Sequence, residues 1–120
     1  AIREVLFFSE RLTQLGMSSD AFVVNRITTP RKLTPEDAIR DAVAQSGLKL
    51  DDDVVPRLQS AMRDEVTQAA MDASHLRILD ETLLLADPAP LRANVPAYPY
   101  DVHDLESLHD VAKLLAIASA

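Results

Sequence analysis

The sequence predicts an α/β fold: two parallel β-strands with mostly helical cover. Three observations carry this expectation. Apolar residues recur at three- and four-residue steps over most of the chain, the signature of amphipathic helices. Two short runs, residues 21–24 and 92–95, interrupt that period and read as strands. The long helical stretch between them is a crossover rather than a hairpin, which makes the two strands parallel through a right-handed connection.

The elements follow in order. Ile2, Val5, Leu6, Leu12 and Leu15, with Phe8 alongside, form the stripe of a first helix, and Gly16 suits the left-handed position that ends it. Ala21-Phe22-Val23-Val24 is short, continuous and partly β-branched, so it predicts a strand buried on both faces, with Asn25 and Arg26 following at its C-terminal end. Thr28-Thr29-Pro30 breaks it. Thr34 is expected to cap a second helix with Pro35 at its first position; that helix runs through Ile39, Ala42 and Val43 to Gly47. Asp51, Asp52 and Asp53 precede a long helix with the stripe Val55, Leu58, Met62, Val66, Ala69, Ala73, Leu76, Leu79 and Leu83. These aspartates lack the alternating spacing and distal Glu of a calcium loop, and acidic residues are favoured at a helix N-terminus. Pro88 and Pro90 stop the helical pattern, Arg92-Ala93-Asn94-Val95 forms the second strand, and Pro96 ends it. Residues 97–101 form a loop. The last helix, capped by Asp104, carries Leu105, Leu108, Val111, Ala112 and Leu115.

The chain reads as one domain in three stretches: helix and strand over 1–29, a helical segment over 30–87, and strand, loop and helix over 88–120. Two strands alone make a poor sheet. Helical periodicity is already running at Ile2 with no capping residue before it. Both points lead to the expectation that residues 1–120 are the C-terminal piece of a larger α/β protein whose preceding part supplies further strands.

Composition narrows the function. With 120 residues and 48% hydrophobic content the chain can bury a core. Its net charge is −7, and no run of Lys or Arg forms a stripe, so neither a nucleic acid nor an anionic membrane surface is expected as a partner. The chain has no cysteine, which excludes disulfides, thiolate zinc sites and cysteine nucleophiles. No apolar run approaches the roughly eighteen residues of a membrane span. A cytoplasmic location is expected.

Two glycines, Gly16 and Gly47, stand far apart. A phosphate-cradling P-loop, a dinucleotide loop and a nucleophile elbow all need clustered glycines, so none can be built here. Asp101, His103, Asp104, His109 and Asp110 suggest a metal cluster, but His103 and His109 are six apart, whereas helical metal ligands stand three or four apart. No catalytic and no metal-binding residue is assigned. The informative residues lie at the strand ends, where ligands bind in open parallel sheets. Asn25 offers a donor and an acceptor together, which can match the N6 and N7 edge of adenine. Pro96 offers a flat apolar ring beside a rigid loop.

The run A-F-V-V-N-R at 21–26, preceded by F-F-S-E-R-L-T-Q-L-G-M at 7–17, and the run N-V-P-A-Y-P-Y-D-V-H-D-L-E-S-L at 94–108 resemble the C-terminal part of the ArsA-type ATPases. These are the arsenite-pump ATPases, the tail-anchored-protein targeting ATPases, and a bacterial branch described as anion-transporting ATPases. The resemblance is strongest over 1–27 and 92–116 and weak between 30 and 85. It implies the C-terminal part of a doubly wound parallel sheet of the P-loop NTPase type, in dimers or tandem halves that close over ATP with Mg²⁺. The P-loop, both switch regions and the hydrolytic Asp of that family lie N-terminal to the matched part, so the resemblance implies no ATP hydrolysis by this chain alone. It implies adenine contacts by Asn25 and Pro96, with Ala97 and Tyr98 continuing the loop. It implies as partners the N-terminal half of the ATPase and a second copy or pseudo-copy, with membrane contact only indirect, through a client or pump subunit. The departures matter. The cysteine pair that shares zinc across the eukaryotic dimer, and the cysteines that bind arsenite, have no counterpart here. Met62 and Met71 alone do not line a groove for a membrane-protein client.

Two other readings stand beside this one. In the first, residues 34–83 form the surface of a non-enzymatic helical interaction module. In the second, the Asp/His cluster serves a small metal hydrolase.

Overall fold

The computed structural model describes residues 2–118 of the chain, with the side chain of Ala118 left aside. The element order is α1 (Ile2–Gln14), β1 (Ala21–Ile27), α2 (Glu36–Ser46), α3 (Val54–Leu83), β2 (Leu91–Pro96) and α4 (Leu105–Ala118). The protein is α/β and mostly helical, and β1 and β2 pair in parallel as expected.

The chain divides into two compact units where the sequence reads as one. Thr28–Met71 forms the first, and the remaining described residues on either side form the second. The division at 71 falls inside α3, far from the stretch boundary expected at residue 87.

In the sheet-bearing unit, α1 ends as its sequence requires. Gly16 adopts φ 76°. The Met17 amide donates to the Leu12 carbonyl at 2.9 Å and the Gly16 amide to Thr13 at 3.0 Å, a Schellman closure. Only part of the α1 stripe is covered. Ile2, Leu6 and Leu12 are half-buried, whereas Val5, Phe8 and Leu15 are 42%, 63% and 72% exposed.

The expectation that β1 is buried on both faces is not met. Phe22 and Val24 are half-buried, but Val23 on the other face is 58% exposed. The two faces of the sheet meet different helices. Phe22 shares a depression with Leu6 of α1 and Leu83 of α3. Arg92 of β2 pairs with Asp80 of α3. On the other face α4 packs against β2 rather than β1. Val95 is buried to 4% exposure on β2, while Val23 of β1, which pairs with Ala93, stays open. Among the described residues Leu79, Leu83 and Val95 are the buried apolar residues of this unit. Each such side chain contributes roughly 2 kcal/mol when fully withdrawn from water.

In the unit Thr28–Met71 the buried apolar residues are Ile39, Val55 and Ala69. Thr34 does not cap α2. Pro35 occupies the capping position with an extended ψ of 148°, which leaves Thr34 one residue too far out, and no side chain caps the helix. The Pro35 carbonyl instead accepts from the Ile39 amide at 3.2 Å. Gly47 closes α2 at φ 70°, as expected.

The α3 stripe differs from expectation at two positions. Leu58 is 47% exposed, and its neighbour Gln59 is the buried residue, at 7%. Ala73 is exposed and Asp72 half-buried. The inward residues 55, 59, 62, 66, 69, 72, 76, 79 and 83 keep strict steps of three and four. The expected stripe also advances by three and four, so spacing alone does not choose between Leu58 and Gln59 or between Ala73 and Asp72. Gln59 is accommodated because its side-chain oxygen accepts from Arg63 at 3.1 Å.

Candidate functional site

The site begins with an irregularity in β1. The strand does not stop at Val24 with Asn25 beyond it. It runs on to Ile27 through a bulge: Val24 pairs with Asn94, and the next pairing is Ile27 with Pro96. Beyond the bulge the ladder continues regularly: the Ala97 amide donates to the Ile27 carbonyl at 2.8 Å, a parallel bond that uses no Pro96 amide and so tolerates proline there. The extra residue is taken up at Arg26, which adopts φ 61°. A non-glycine residue in this left-handed region costs on the order of 1–2 kcal/mol. Successive side chains of a regular strand point to opposite faces. With the bulge, Asn25 and Arg26 line the same cleft.

That cleft has a volume of about 580 Å³ and lies at the C-terminal ends of both parallel strands. One wall is Val23, Asn25 and Arg26 of β1. The floor is Val95 and Pro96 of β2. The loop that follows supplies Ala97, Tyr98, Tyr100 and Asp101. Leu108, Val111 and Leu115 of α4 close the remaining side. The four residues expected to face a ligand, Asn25, Pro96, Ala97 and Tyr98, thus lie around one space although 70 residues separate the first two in sequence.

The loop is held by its own aromatic pair and by the start of α4. The Tyr98 and Tyr100 rings stack with centroids 5.4 Å apart and planes inclined by 30°. Partial desolvation, followed by the negative charge of Asp110, raises the Tyr100 hydroxyl above its ordinary value, so it stays protonated and can donate at neutral pH. Asp104 caps α4 reciprocally. The Ser107 amide donates to Asp104 Oδ1 at 2.8 Å, the Ser107 hydroxyl donates to the same oxygen at 2.6 Å, and the Asp104 amide donates to Ser107 Oγ at 3.3 Å. The Ser107 hydroxyl is the main reason that the Asp104 carboxyl titrates below the usual aspartate range.

His103 precedes α4, its Nδ1 2.9 Å from the Asp101 carbonyl oxygen. Among the described residues no three His, Cys, Asp or Glu side chains converge in a way that could hold a metal ion. Among the described residues no histidine, serine or threonine lines the 580 Å³ cleft. What the cleft offers is a flat apolar and aromatic lining, one amide with both donor and acceptor, one cation and one carboxylate. This is a set for binding a planar heteroaromatic ring with a polar edge.

Sequence reasoning missed Arg26, Tyr100, Asp101 and the α4 wall as parts of the cleft. The Tyr98-x-Tyr100 spacing was a usable signal for Tyr100. Arg26 gave none, because strand alternation assigns it to the far face.

No protein-family model matches the chain, and no curated protein sequence is detectably similar to it. Among the described residues no helix is long and apolar enough to cross a membrane.

Proposed function

We propose that this chain is the C-terminal portion of an ATP-binding protein of the ArsA type, and that its cleft receives the adenine ring. The observation that carries the reading is the meeting of Asn25 and Pro96, with Ala97 and Tyr98, in one cleft at the C-terminal ends of two parallel strands. Asn25 reads the N6 and N7 edge of the base, and Pro96 and Tyr98 offer surfaces for its faces. In this reading β1 and β2 belong to a larger doubly wound sheet of the P-loop NTPase type. Helices already flank both faces of the pair, and Val23 is left open for further cover.

The adenine ring fits the donor set of the cleft. Phosphate and Mg²⁺ do not fit this chain: it has no glycine-rich loop, and no metal-holding cluster exists among the described residues. Both fall to the N-terminal half of the protein, the expected partner, in a cytoplasmic dimer or pseudo-dimer that couples ATP hydrolysis to anion transport or membrane-protein targeting. The test is Asn25→Ala in the full-length protein. ATP affinity is expected to fall while the fold survives; unchanged nucleotide binding contradicts the reading.

One observation favours a second reading, a non-enzymatic helical interaction module. In the unit Thr28–Met71, Leu33, Leu48, Leu50 and Leu58 are 42%, 63%, 42% and 47% exposed. Under that reading Leu58→Glu abolishes partner capture and leaves nucleotide binding untouched.

A further inference from the structure

Among the described residues β1 pairs with β2 alone, so each strand has an outer edge. The register says which main-chain groups face outward. The Leu91 amide donates to the Asp20 carbonyl at 2.9 Å, and Ala21 stands level with Leu91. In a parallel ladder this turns the amides and carbonyls of Phe22 and Val24 toward β2, and those of Ala21, Val23 and Asn25 away from it. By the same alternation the outer edge of β2 carries Arg92, Asn94 and Pro96. The two edges differ. Pro96 has no amide, and the Arg92 side chain is tied to Asp80 of α3. On β1 all three outward residues are exposed, Val23 to 58%, and each has both an amide and a carbonyl. A strand edge of this kind, with no proline and no lysine on it, is a template for another strand.

We propose that this edge is a self-complementary interface, at which β1 of a second copy of the chain adds antiparallel to β1. The inference is independent of the adenine reading of the cleft. A two-fold axis at Val23 sets Val23 against Val23 of the second copy, and Ala21 against Asn25. All of these residues turn their main-chain groups outward, so every facing pair exchanges both of its hydrogen bonds. The Val23 side chains, open in the single chain, meet across the axis. Charge selects the same direction. Asp20 and Arg26 flank the outward run, and the antiparallel register brings Asp20 of one copy level with Arg26 of the other at both ends. A parallel pairing in register would instead level Asp20 with Asp20 and Arg26 with Arg26. The product is a sheet in the order β2-β1-β1-β2, which passes the roughly three strands a sheet needs to be stable in its own right.

The chain has no cysteine, so a single introduced thiol reports the geometry directly. Facing residues of a hydrogen-bonded antiparallel pair have Cα atoms about 5.5 Å apart, within disulfide reach. Val23→Cys is expected to form a disulfide-linked dimer under mild oxidation at least about tenfold faster than Asn94→Cys, on the outer edge of β2. In sedimentation the natural 120-residue chain is expected to show a monomer–dimer equilibrium. Val23→Pro removes an outward amide, and Val23→Lys sets like charges against each other at the axis. Each is expected to weaken dimerisation at least about tenfold, whereas Asn94→Pro leaves it unchanged. Hydrogen exchange checks the fold of each variant. The amides of Phe22, Val24, Ala93 and Val95 serve the ladder between β1 and β2 and stay slow, while the Ala21 and Val23 amides of the natural chain slow only as it dimerises. A chain that is monomeric at every concentration overturns the inference. So does a dimer that keeps its strength in Val23→Lys, or one that cross-links through Asn94→Cys as readily as through Val23→Cys.

Discussion

Asn25 and Arg26 follow one another in β1 and yet line the same cleft. The pairing skips a residue between Val24 and Ile27, and Arg26 absorbs the difference at φ 61°. The position is therefore strained for any residue with a Cβ. Arg26→Gly is predicted to stabilise the chain by about 1 kcal/mol, read as a higher urea midpoint with an unchanged slope. A loss of stability would mean that the Arg26 side chain holds the bulge together instead of being carried by it.

The Asp104–Ser107 box makes a second prediction. Ser107→Ala removes the hydroxyl that donates to Asp104 and is expected to lower the stability of the sheet-bearing unit near neutral pH, read as a lower urea midpoint. The folded Asp104 carboxyl titrates below its unfolded value. Its contribution is thus fully present above the ordinary aspartate range and is lost as pH falls through the lowered folded value. The natural and Ser107→Ala proteins should converge in stability in acid. A difference that persists below that range assigns the effect to packing of Ser107 rather than to the carboxylate.

The two sides of α3 predict unequal costs. Leu79 is 1% exposed and Leu58 is 47% exposed, although both belong to the apolar stripe read from the sequence. Leu79→Ala is expected to cost about 2–5 kcal/mol and Leu58→Ala to stay within about 0.5 kcal/mol. Equal costs in denaturant titrations would restore Leu58 to the buried face.

Self-association is the fourth prediction. Val5, Phe8 and Leu15 of α1 stand outward at 42%, 63% and 72% exposure, and Val23 is open on the sheet. The isolated chain should sediment as a concentration-dependent mixture, and Phe8→Glu should shift it toward the monomer. A monomer at every concentration contradicts this.

Much of the fold was legible because it depends on local chemistry. The apolar run at 21–24, the prolines at 88 and 90, the glycines at 16 and 47 and the Asp104 cap each act within a few residues. What was illegible depends on partners distant in sequence. The bulge at Arg26 shows only in the pairing of β1 with β2, and Val23 stays exposed while α4 packs on β2. The burial of Gln59 over Leu58 is not decided by spacing, which both residues satisfy, and Gln59 has Arg63 in reach. In the same way, Asn25 and Pro96 could be picked from the strand ends, while Arg26 required the pairing register.

The most direct test of the adenine cleft is photolabelling of the chain with an azido-adenosine, followed by peptide mapping. The label is expected in peptides covering β1 and the loop from Pro96 to Val102, competed away by excess adenosine and diminished by Asn25→Ala. Labelling confined to Thr28–Met71, or labelling that adenosine does not compete, would contradict the account.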